Sequence, residues 1–218
     1  ILKSAYLYNN IEKKRSYYGV PIHIATNHIY YRKDLLKQVG LSKKDIPSDW
    51  NGFWQFWTKA QDKLRSRQKL DVYGLGLSLS DKAGDTFQTF EQILEAYDIP
   101  ILDSQGQLQV DRPQVRQGII EVLEWYKKFY KQGYIPQAAL RWLSPDNNRS
   151  LLNREILMTV NHTLSIPGAV REDPDTYNNK IGILEFPNKP NGKPMRHLVT
   201  VEQALIFANS EHQQLAKQ

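Results

Sequence analysis

The chain has 218 residues, of which 40% are hydrophobic and 24% charged, and it carries a formal net charge of +6 and no cysteine. This is the composition of an ordinary globular protein with one large or two small domains. It excludes disulfides, thiolate metal sites and a cysteine nucleophile, and no apolar run approaches the roughly 18 residues that a membrane-spanning helix needs. The basic residues are scattered along the chain, which argues against a nucleic-acid-binding surface.

The first third of the chain predicts two strands and two helices. The stretch YGVPIHIATNHIYY (18–31) reads as two strands with a short break at Thr26 and Asn27, and the short helix after it is closed by Gly40. The segment 48–68 is the clearest helix, with Ser48 or Asp49 as its expected cap. We expect its apolar stripe to be core rather than a platform for stacking carbohydrate. The stripe consists of Trp50, Phe53, Trp54, Trp57 and Leu64.

The middle of the chain continues the alternation. A strand at 72–79 has glycines that do not fit a phosphate-binding loop, and the helix 84–98 follows, with Asp85 or Thr86 as its expected cap. The residues that we expect on one face of this helix are Phe87, Phe90, Leu94 and Tyr97. The segment 100–111 predicts a hairpin turning at 104–106, and 112–135 predicts a long helix with Pro113 in its first turn and Gly133 beyond its end. Its expected buried stripe is Val115, Ile119, Val122, Tyr126 and Phe129.

The last third predicts a short capped helix at 146–154, then the apolar run ILMTV (156–160), which is typical of a strand covered on both faces. A helix start at 163–173, a strand at 180–187 and extended chain at 197–209 follow, and a helix is expected from Ser210 onward. Strands that alternate with helices predict a layered α/β domain.

The motifs of common enzymes do not occur. The five histidines are not in HExxH or another metal-ligand spacing, and there is no GxSxG elbow. Carboxylates such as Glu121 and Glu124 are expected on a helix surface. We therefore predict no catalysis, no metal and no cofactor. A carbohydrate-active enzyme that brings distant carboxylates together stays open as one alternative, and a basic interaction module as the second.

Polar side chains follow three predicted strands at the points where those strands end. Ligands of open α/β sheets bind beyond the carboxyl ends of strands, and helix N-termini there offer unpaired N–H groups. Amides, carboxylates and hydroxyls orient ligand hydroxyl groups, and an aromatic face covers C–H surface. Ordinary capping by these residue types is the alternative at each junction. The candidate ligand-binding residues are Thr26, Asn27, Asp85, Thr86, Phe87, Gln88, Asn161, His162 and Thr163. Trp142, just before the short helix at 146–154, is a further candidate for contact with the ligand. A packing role is its alternative.

Four stretches, in this order, resemble the extracellular solute-binding proteins of ABC transporters, the family of the maltose- and other sugar-binding proteins. They are YGVPIHIATNHIYYRKDLLKQVGL (18–41), IPSDWNGFWQFWTKAQDKL (46–64), DNNRSLLNREILMTVNHTLSIPGAV (146–170) and GILEFPNKPNGKP (182–194) followed by VEQALIFANSEHQQLAKQ (201–218). Five positions depart from the family pattern. In the second stretch, Ser48 stands in place of threonine and Gly52 in place of glutamate. The other three lie at the junctions. Ala25 stands where an acidic residue is common, His162 where glycine is usual, and Leu164 where a stacking tryptophan often stands.

The resemblance implies an α/β, type II periplasmic-binding-protein-like lobe, a layered sheet with helices on both faces. It implies a piece of a longer protein: a first-lobe or hinge remnant at 1–21, the second lobe at 22–197, and a hinge return at 198–218. It places Ala25–Asn27, Asp85–Gln88 and Asn161–Leu164 along the cleft.

The function that the resemblance implies is capture of a sugar or similar polar solute between two lobes that close by hinge bending, and delivery to the permease. The implied partners are a small solute and ABC permease subunits, with no nucleic acid, and the protein is expected to be a monomer. The implied location is periplasmic or extracellular, with a membrane-anchored lipoprotein as one form of the full-length protein.

Overall fold

The computed structural model describes residues 2–217. The chain divides into two units, a larger one of residues 27–198 and a smaller one made of the segments up to Thr26 and from Val199 onward. The boundary thus falls after the first long strand, whereas the sequence placed the start of the second lobe at residue 22. Ile1 and Gln218, where the expected flanking segments begin and end, lie outside the described residues.

The smaller unit consists of two antiparallel strand pairs. A 3-10 turn, Leu2–Ala5, leads into the hairpin of β1 (Tyr6–Asn9) and β2 (Lys14–Tyr17). The second pair is β3 (Val20–Thr26) with β8 (Val199–Ala204). The helix expected from Ser210 begins only at Gln213, as α7 (Gln213–Ala216), because the Ser210 hydroxyl accepts a hydrogen bond from the His212 N–H (3.3 Å) in a turn before the helix.

The larger unit is built on one mixed sheet with the strand order β5-β6-β4-β7. β5 and β6 are parallel, and β4 is antiparallel to both β6 and β7. Every residue of β6 is buried, so both faces of this central strand are covered, as its apolar sequence predicts. The strands are β4 (His28–Arg32), β5 (Tyr73–Gly76), β6 (Ile156–Asn161) and β7 (Ile181–Leu184).

Helices and short turns connect these strands. The helices are α1 (Lys33–Gln38), α2 (Trp50–Gln68), α3 (Gly84–Ala96), α4 (Pro113–Lys131), α5 (Asp146–Leu152) and α6 (Ser165–Ala169). The turns are the 3-10 segments Lys43–Asp45 and Gln137–Arg141 and the π turn Thr176–Lys180.

Helix α2 forms the centre of the core. The Asp49 carboxylate caps it by accepting the Gly52 N–H (2.8 Å), and the helix ends at Lys69 in the left-handed conformation. Its whole predicted stripe is buried, which confirms the core interpretation. Trp54 packs edge-on against Trp125 of α4, with ring centroids 4.9 Å apart.

A glycine allows α2 to pack closely on the sheet. A Cβ added at Gly74 in β5 would lie 2.7 Å from the Trp57 carbonyl oxygen of α2, closer than a side chain tolerates. Gly74 therefore allows close packing of the helix on the strand, and the rejection of a phosphate loop is consistent with this role.

One expectation about α3 is wrong. The helix begins at Gly84 with Ala83 at the N-cap position, and neither Asp85 nor Thr86 caps it. Phe87, one of the four residues expected on one face, is 57% exposed. The buried positions are instead partly polar, because this face of α3 must satisfy the loops packed on it: Asp85, Thr89, Gln92, Ile93, Leu94 and Ala96.

The hairpin expected at 100–111 is reduced to a single bridge between Leu102 and Leu108. The Asp103 carboxylate accepts the backbone N–H groups of Gln105 and Gln107 (2.9 Å each), which stabilises the turn, and backbone bonds join Asp103 to Gln107 and Gln109 to Ile101. The long helix α4 begins at Pro113 and is followed by Gly133 with φ +75°, as predicted. Its buried stripe is also as predicted, except that Ile119 is partly exposed.

Candidate functional site

Three polar junctions lie close together at one end of the strands in the β5-β6-β4-β7 sheet. His28, at the start of β4, lies directly opposite Asn161, at the end of β6. Because β5 runs parallel to β6, its carboxyl end faces the same edge, and the chain from it leads into α3. The topology thus brings Asn27, the first turn of α3 and the end of β6 together, although they are far apart in sequence.

Side-chain hydrogen bonds join these junctions into what we call the junction cluster: Asn27, Asp85, Gln88, Asn161 and His162. The Asn27 amide donates to the Gln88 carbonyl oxygen of α3 (2.9 Å). The Asn161 amide lies 3.5 Å from Asp85 Oδ2, and His162 Nδ1 lies 3.4 Å from Asp85 Oδ1. His162 Nε2 and Gln88 Nε2 are 3.2 Å apart, which completes the connection between β6 and α3.

The middle of the cluster is closed to solvent. Asn27, Asp85 and Asn161 are only 3%, 5% and 3% exposed. Burial raises the pKa of Asp85, since desolvation penalises the carboxylate; His162 and the Asn147 amide oppose this rise. The buried residues therefore hold the junctions together.

The loop between β6 and α6 is shaped by Asn161. The Asn161 side-chain oxygen Oδ1 accepts both the backbone N–H (2.8 Å) and the hydroxyl (2.7 Å) of Thr163. The Tyr30 hydroxyl of β4 donates to the Thr163 backbone carbonyl oxygen (2.8 Å) and thereby ties this loop to the sheet. This asparagine turn orients the residues that follow it.

An exposed rim surrounds the buried cluster. Phe87 is 57% exposed on the first turn of α3, and Leu164 is 65% exposed on the loop after β6. His162 has 21% of its side chain exposed, and the exposed Ser165 hydroxyl shares a hydrogen bond with Thr163 (2.6 Å). The rim thus offers apolar surface beside hydroxyl and imidazole groups, the combination suited to a polyhydroxylated ligand.

The remaining predicted residues lie in other settings. Thr26 is the last residue of β3 in the smaller unit and is half-buried. The Thr86 hydroxyl donates to Ser78 Oγ (2.9 Å). Trp142 is only 6% exposed and packs in the hydrophobic core, so we assign it the packing role and leave it out of the site.

Sequence reasoning missed the contribution of α5. Asn148 accepts the Asn161 amide (2.7 Å) and donates to Ser165 Oγ (3.0 Å), and Asn147 donates to the Val160 carbonyl oxygen (3.1 Å). Two adjacent asparagines in the first turn of a short helix were the available signal, but they read as ordinary capping residues.

Among the described residues, no three histidine, aspartate or glutamate side chains gather as metal ligands. Glu121 and Glu124 are exposed on α4, where Glu124 pairs with Lys127 (2.6 Å). Among residues 2–217 we find no helix with the length and apolar character to cross a membrane.

The chain belongs to the bacterial extracellular solute-binding proteins, whose family profile it matches over residues 2–218. The predicted family is thereby confirmed. It is a family of transport binding proteins, not of enzymes. Among curated proteins, the chain is 23% identical over 199 residues to binding proteins of Brucella abortus and Brucella suis, covering 91% of this chain and 44% of each relative. The chain thus spans less than half the length of these relatives.

Solved structures of solute-binding proteins share the fold, which confirms the predicted type II α/β class. One from Thermotoga lettingae, bound with α-D-tagatose, has a TM-score of 0.74 and 20% identity over 94% of this chain and 49% of its own. The maltose-bound MalE3 of Thermotoga maritima has a TM-score of 0.73 and 20% identity over 99% and 51%. A protein from Agrobacterium radiobacter K84 in complex with ribitol has a TM-score of 0.71 and 23% identity over 99% and 49%.

Proposed function

We propose that this chain is the ligand-binding lobe of the substrate-binding component of an ABC importer. Its solute is a sugar or polyol, and its macromolecular partners are permease subunits, with no nucleic acid involved. The protein acts as a monomer in the periplasm or outside the cell, and a lipoprotein anchor on the full-length protein is compatible with this role. Support comes from the family and from relatives of the same fold whose titles report tagatose, maltose and ribitol.

The observation that carries the proposal is the convergence of three separate junctions in one polar cluster with an exposed rim. In this proposal Asn27, Asp85 and Asn161 support the site from within, since they are almost fully buried. Phe87 and Leu164 cover the C–H face of the solute, and Thr163 and Ser165 bond its hydroxyl groups. The departures from the family pattern at Ala25, His162 and Leu164 favour a solute other than a maltose-like sugar.

A thermal-shift screen of α-D-tagatose, ribitol, D-mannitol and maltose against the chain tests this proposal. A ligand that binds the folded state raises the Tm by mass action. We expect at least one of these compounds to raise it, and Phe87→Ala to abolish that rise while the Tm without ligand stays unchanged, because Phe87 is exposed.

The matched control is Leu123→Ala on α4, also an exposed apolar residue (52%) but outside the site. It should leave the ligand-induced rise intact. A rise that survives Phe87→Ala, or the absence of any rise with the whole panel, would overturn the proposal.

A further inference from the structure

A groove in the larger unit lies at the same end of the strands as the junction cluster. It has a volume of about 470 Å³ and is lined by His28, Lys43, Ile183, Leu184 and Glu185. Pockets that bind small molecules have volumes of roughly 300 to 1,000 Å³, so the groove is large enough for a ligand. None of its five residues belongs to the junction cluster or to the exposed rim.

The strand register places this groove next to the cluster. On one side of β4, His28 lies opposite Asn161 of the cluster. On the other side, Leu184 at the end of β7 lies opposite Ile29, so Glu185 follows at the level of His28. The strand ends thus form a row that leads from Asn161 through His28 to Glu185. Neighbouring strands are about 4.8 Å apart, so the row covers about 10 Å.

The lining of the groove suits a neutral sugar unit. Ile183 is 46% exposed and, with Leu184, offers apolar surface to C–H groups. The Lys43 ammonium can donate hydrogen bonds, the Glu185 carboxylate can accept them, and the neutral imidazole of His28 can do one of each. Lys43 and Glu185 are exposed, and neither has an ion-pair partner within residues 2–217. Because their charges are opposite, the groove favours neither an anionic nor a cationic solute.

The groove continues beyond Glu185. Lys43, Leu184 and Glu185 also line a neighbouring groove of about 300 Å³, which extends to Ser48 and Asn188. The Asn188 N–H donates to the Ser48 backbone carbonyl oxygen (2.8 Å) and joins these two segments. A ligand that passes Glu185 therefore has room for a further unit.

We propose that the groove at Lys43 and Glu185 is a second sugar subsite, and that the solute is a neutral disaccharide or a longer oligosaccharide. This inference rests on the proposed function, which places the first unit against Phe87 and Leu164. A single sugar ring is shorter than the row of strand ends, whereas a disaccharide spans it. Hydrogen bonds and apolar contacts in the second subsite add binding free energy that a monosaccharide or polyol cannot obtain.

Chemical-shift mapping of the chain with single units and with dimers tests which residues each compound reaches. The single units are D-glucose, D-mannose and ribitol, and the dimers are maltose, laminaribiose and mannobiose. We expect a single unit to shift the backbone amides at 84–88 and 161–165. A dimer should shift the same amides and also those at 43 and 183–185. Dimer shifts that leave 43 and 183–185 unchanged would overturn the inference.

Glu185→Ala measures the contribution of the second subsite. The affinity for the tightest-binding dimer should fall by roughly threefold to tenfold, the range of one hydrogen bond, and the affinity for single units should not change. Because Glu185 is exposed, the Tm without ligand should stay the same. Glu124→Ala, at an exposed position on α4, is the matched control and should leave both affinities unchanged.

Three outcomes contradict the inference in different ways. Equal losses for single units and dimers in Glu185→Ala would show that Glu185 does not act in a separate subsite. Single units that bind as tightly as dimers, or that bind alone, would overturn the second subsite and leave the proposed function standing. If no compound binds, the proposed function fails and the inference fails with it.

Discussion

Each end of helix α3 carries a carboxylate that is largely buried, but the two carboxylates differ in their partners. At its first turn, Asp85 is 5% exposed, and the imidazole Nδ1 of His162 lies 3.4 Å from its Oδ1. Near its last turn, Glu95 receives a bidentate contact from Arg196 (2.7 and 2.8 Å) and a third from Lys189 (2.6 Å). Lys189 is 5% exposed and also reaches Asp98 (2.6 Å).

The pKa values of these two carboxylates shift in opposite directions because their partners differ. Burial raises the pKa of Asp85, whereas the hydrogen bond from Arg196, followed by those from Lys189, lowers the pKa of Glu95 despite its partial burial. One end of the helix is therefore fixed by satisfied charges that hold the loop after β7. The other end keeps a buried carboxylate whose pKa burial raises, a property common at functional sites.

The largest effect is expected from Lys189→Met, which removes the cation from the fixed end. Glu95 and Asp98 lose a buried partner, and we expect a loss of about 3 kcal/mol in the free energy of unfolding. Urea denaturation measures it. Lys193→Met, at an exposed position in the same loop, is the control and should change stability by less than about 0.5 kcal/mol. Equal effects of the two substitutions would show that Lys189 does not fix this end.

Glu95→Gln should cost about 1 to 2 kcal/mol near neutral pH, because charge-assisted hydrogen bonds become neutral ones. Since the pKa of Glu95 is lowered in the folded state, its contribution is present above the ordinary glutamate pKa and is lost as the pH falls through the folded value. Denaturation curves of the variant and the parent should therefore converge on acidification. A constant difference at all pH values would mean that the carboxylate charge is not the cause.

Asp85→Asn should act in the opposite direction and raise stability by about 1 kcal/mol at alkaline pH, because it removes a poorly solvated charge. The pKa of Asp85 is raised, so the stability of its protonated form is present below the ordinary aspartate pKa and is lost as the pH rises through the folded value. The gain should shrink as the pH is lowered. A destabilised variant at alkaline pH would place Asp85 with Glu95 as a structural charge.

The smallest effect is expected from Arg196→Gln. This side chain is 78% exposed, so solvent screens its bidentate contact with Glu95. We expect a loss smaller than that of Glu95→Gln, and one that decreases further at high salt. Denaturation at low and high ionic strength measures it, and a salt-independent loss would point to packing of the arginine stem instead.

Much of the fold was predictable because local signals agreed with it. Asp49 caps α2, Pro113 begins α4, and the apolar run of β6 is buried throughout, all as the sequence indicates. Predictions differed from the structure at 100–111, where Asp103 bonds nearby backbone groups, and at α3, where long-range polar contacts override the local pattern. Gln92, for example, is fully buried because it bonds the Arg196 carbonyl oxygen and the Leu198 N–H, more than 100 residues away.

The residues by themselves predicted the candidate site as three junctions at strand ends, and the family resemblance placed these junctions along one cleft. That Asn27 and Gln88 share a hydrogen bond follows from the antiparallel pairing of β4 with β6, which no local pattern specifies. The role of Asn148 depends on the same tertiary arrangement. Trp142 was misjudged because its position before α5 gives no information on whether it faces the core or solvent.

Chemical-shift mapping of the backbone amides during titration with ribitol, D-mannitol, α-D-tagatose and maltose would locate the solute on the chain. If the solute binds at the junction cluster, the shifts will concentrate at 84–88 and 161–165, even for weak binding. Shifts that cluster instead around Ile99 and Gly118, which line a separate groove of about 440 Å³, or no shifts with any of these compounds at high concentration, would contradict it.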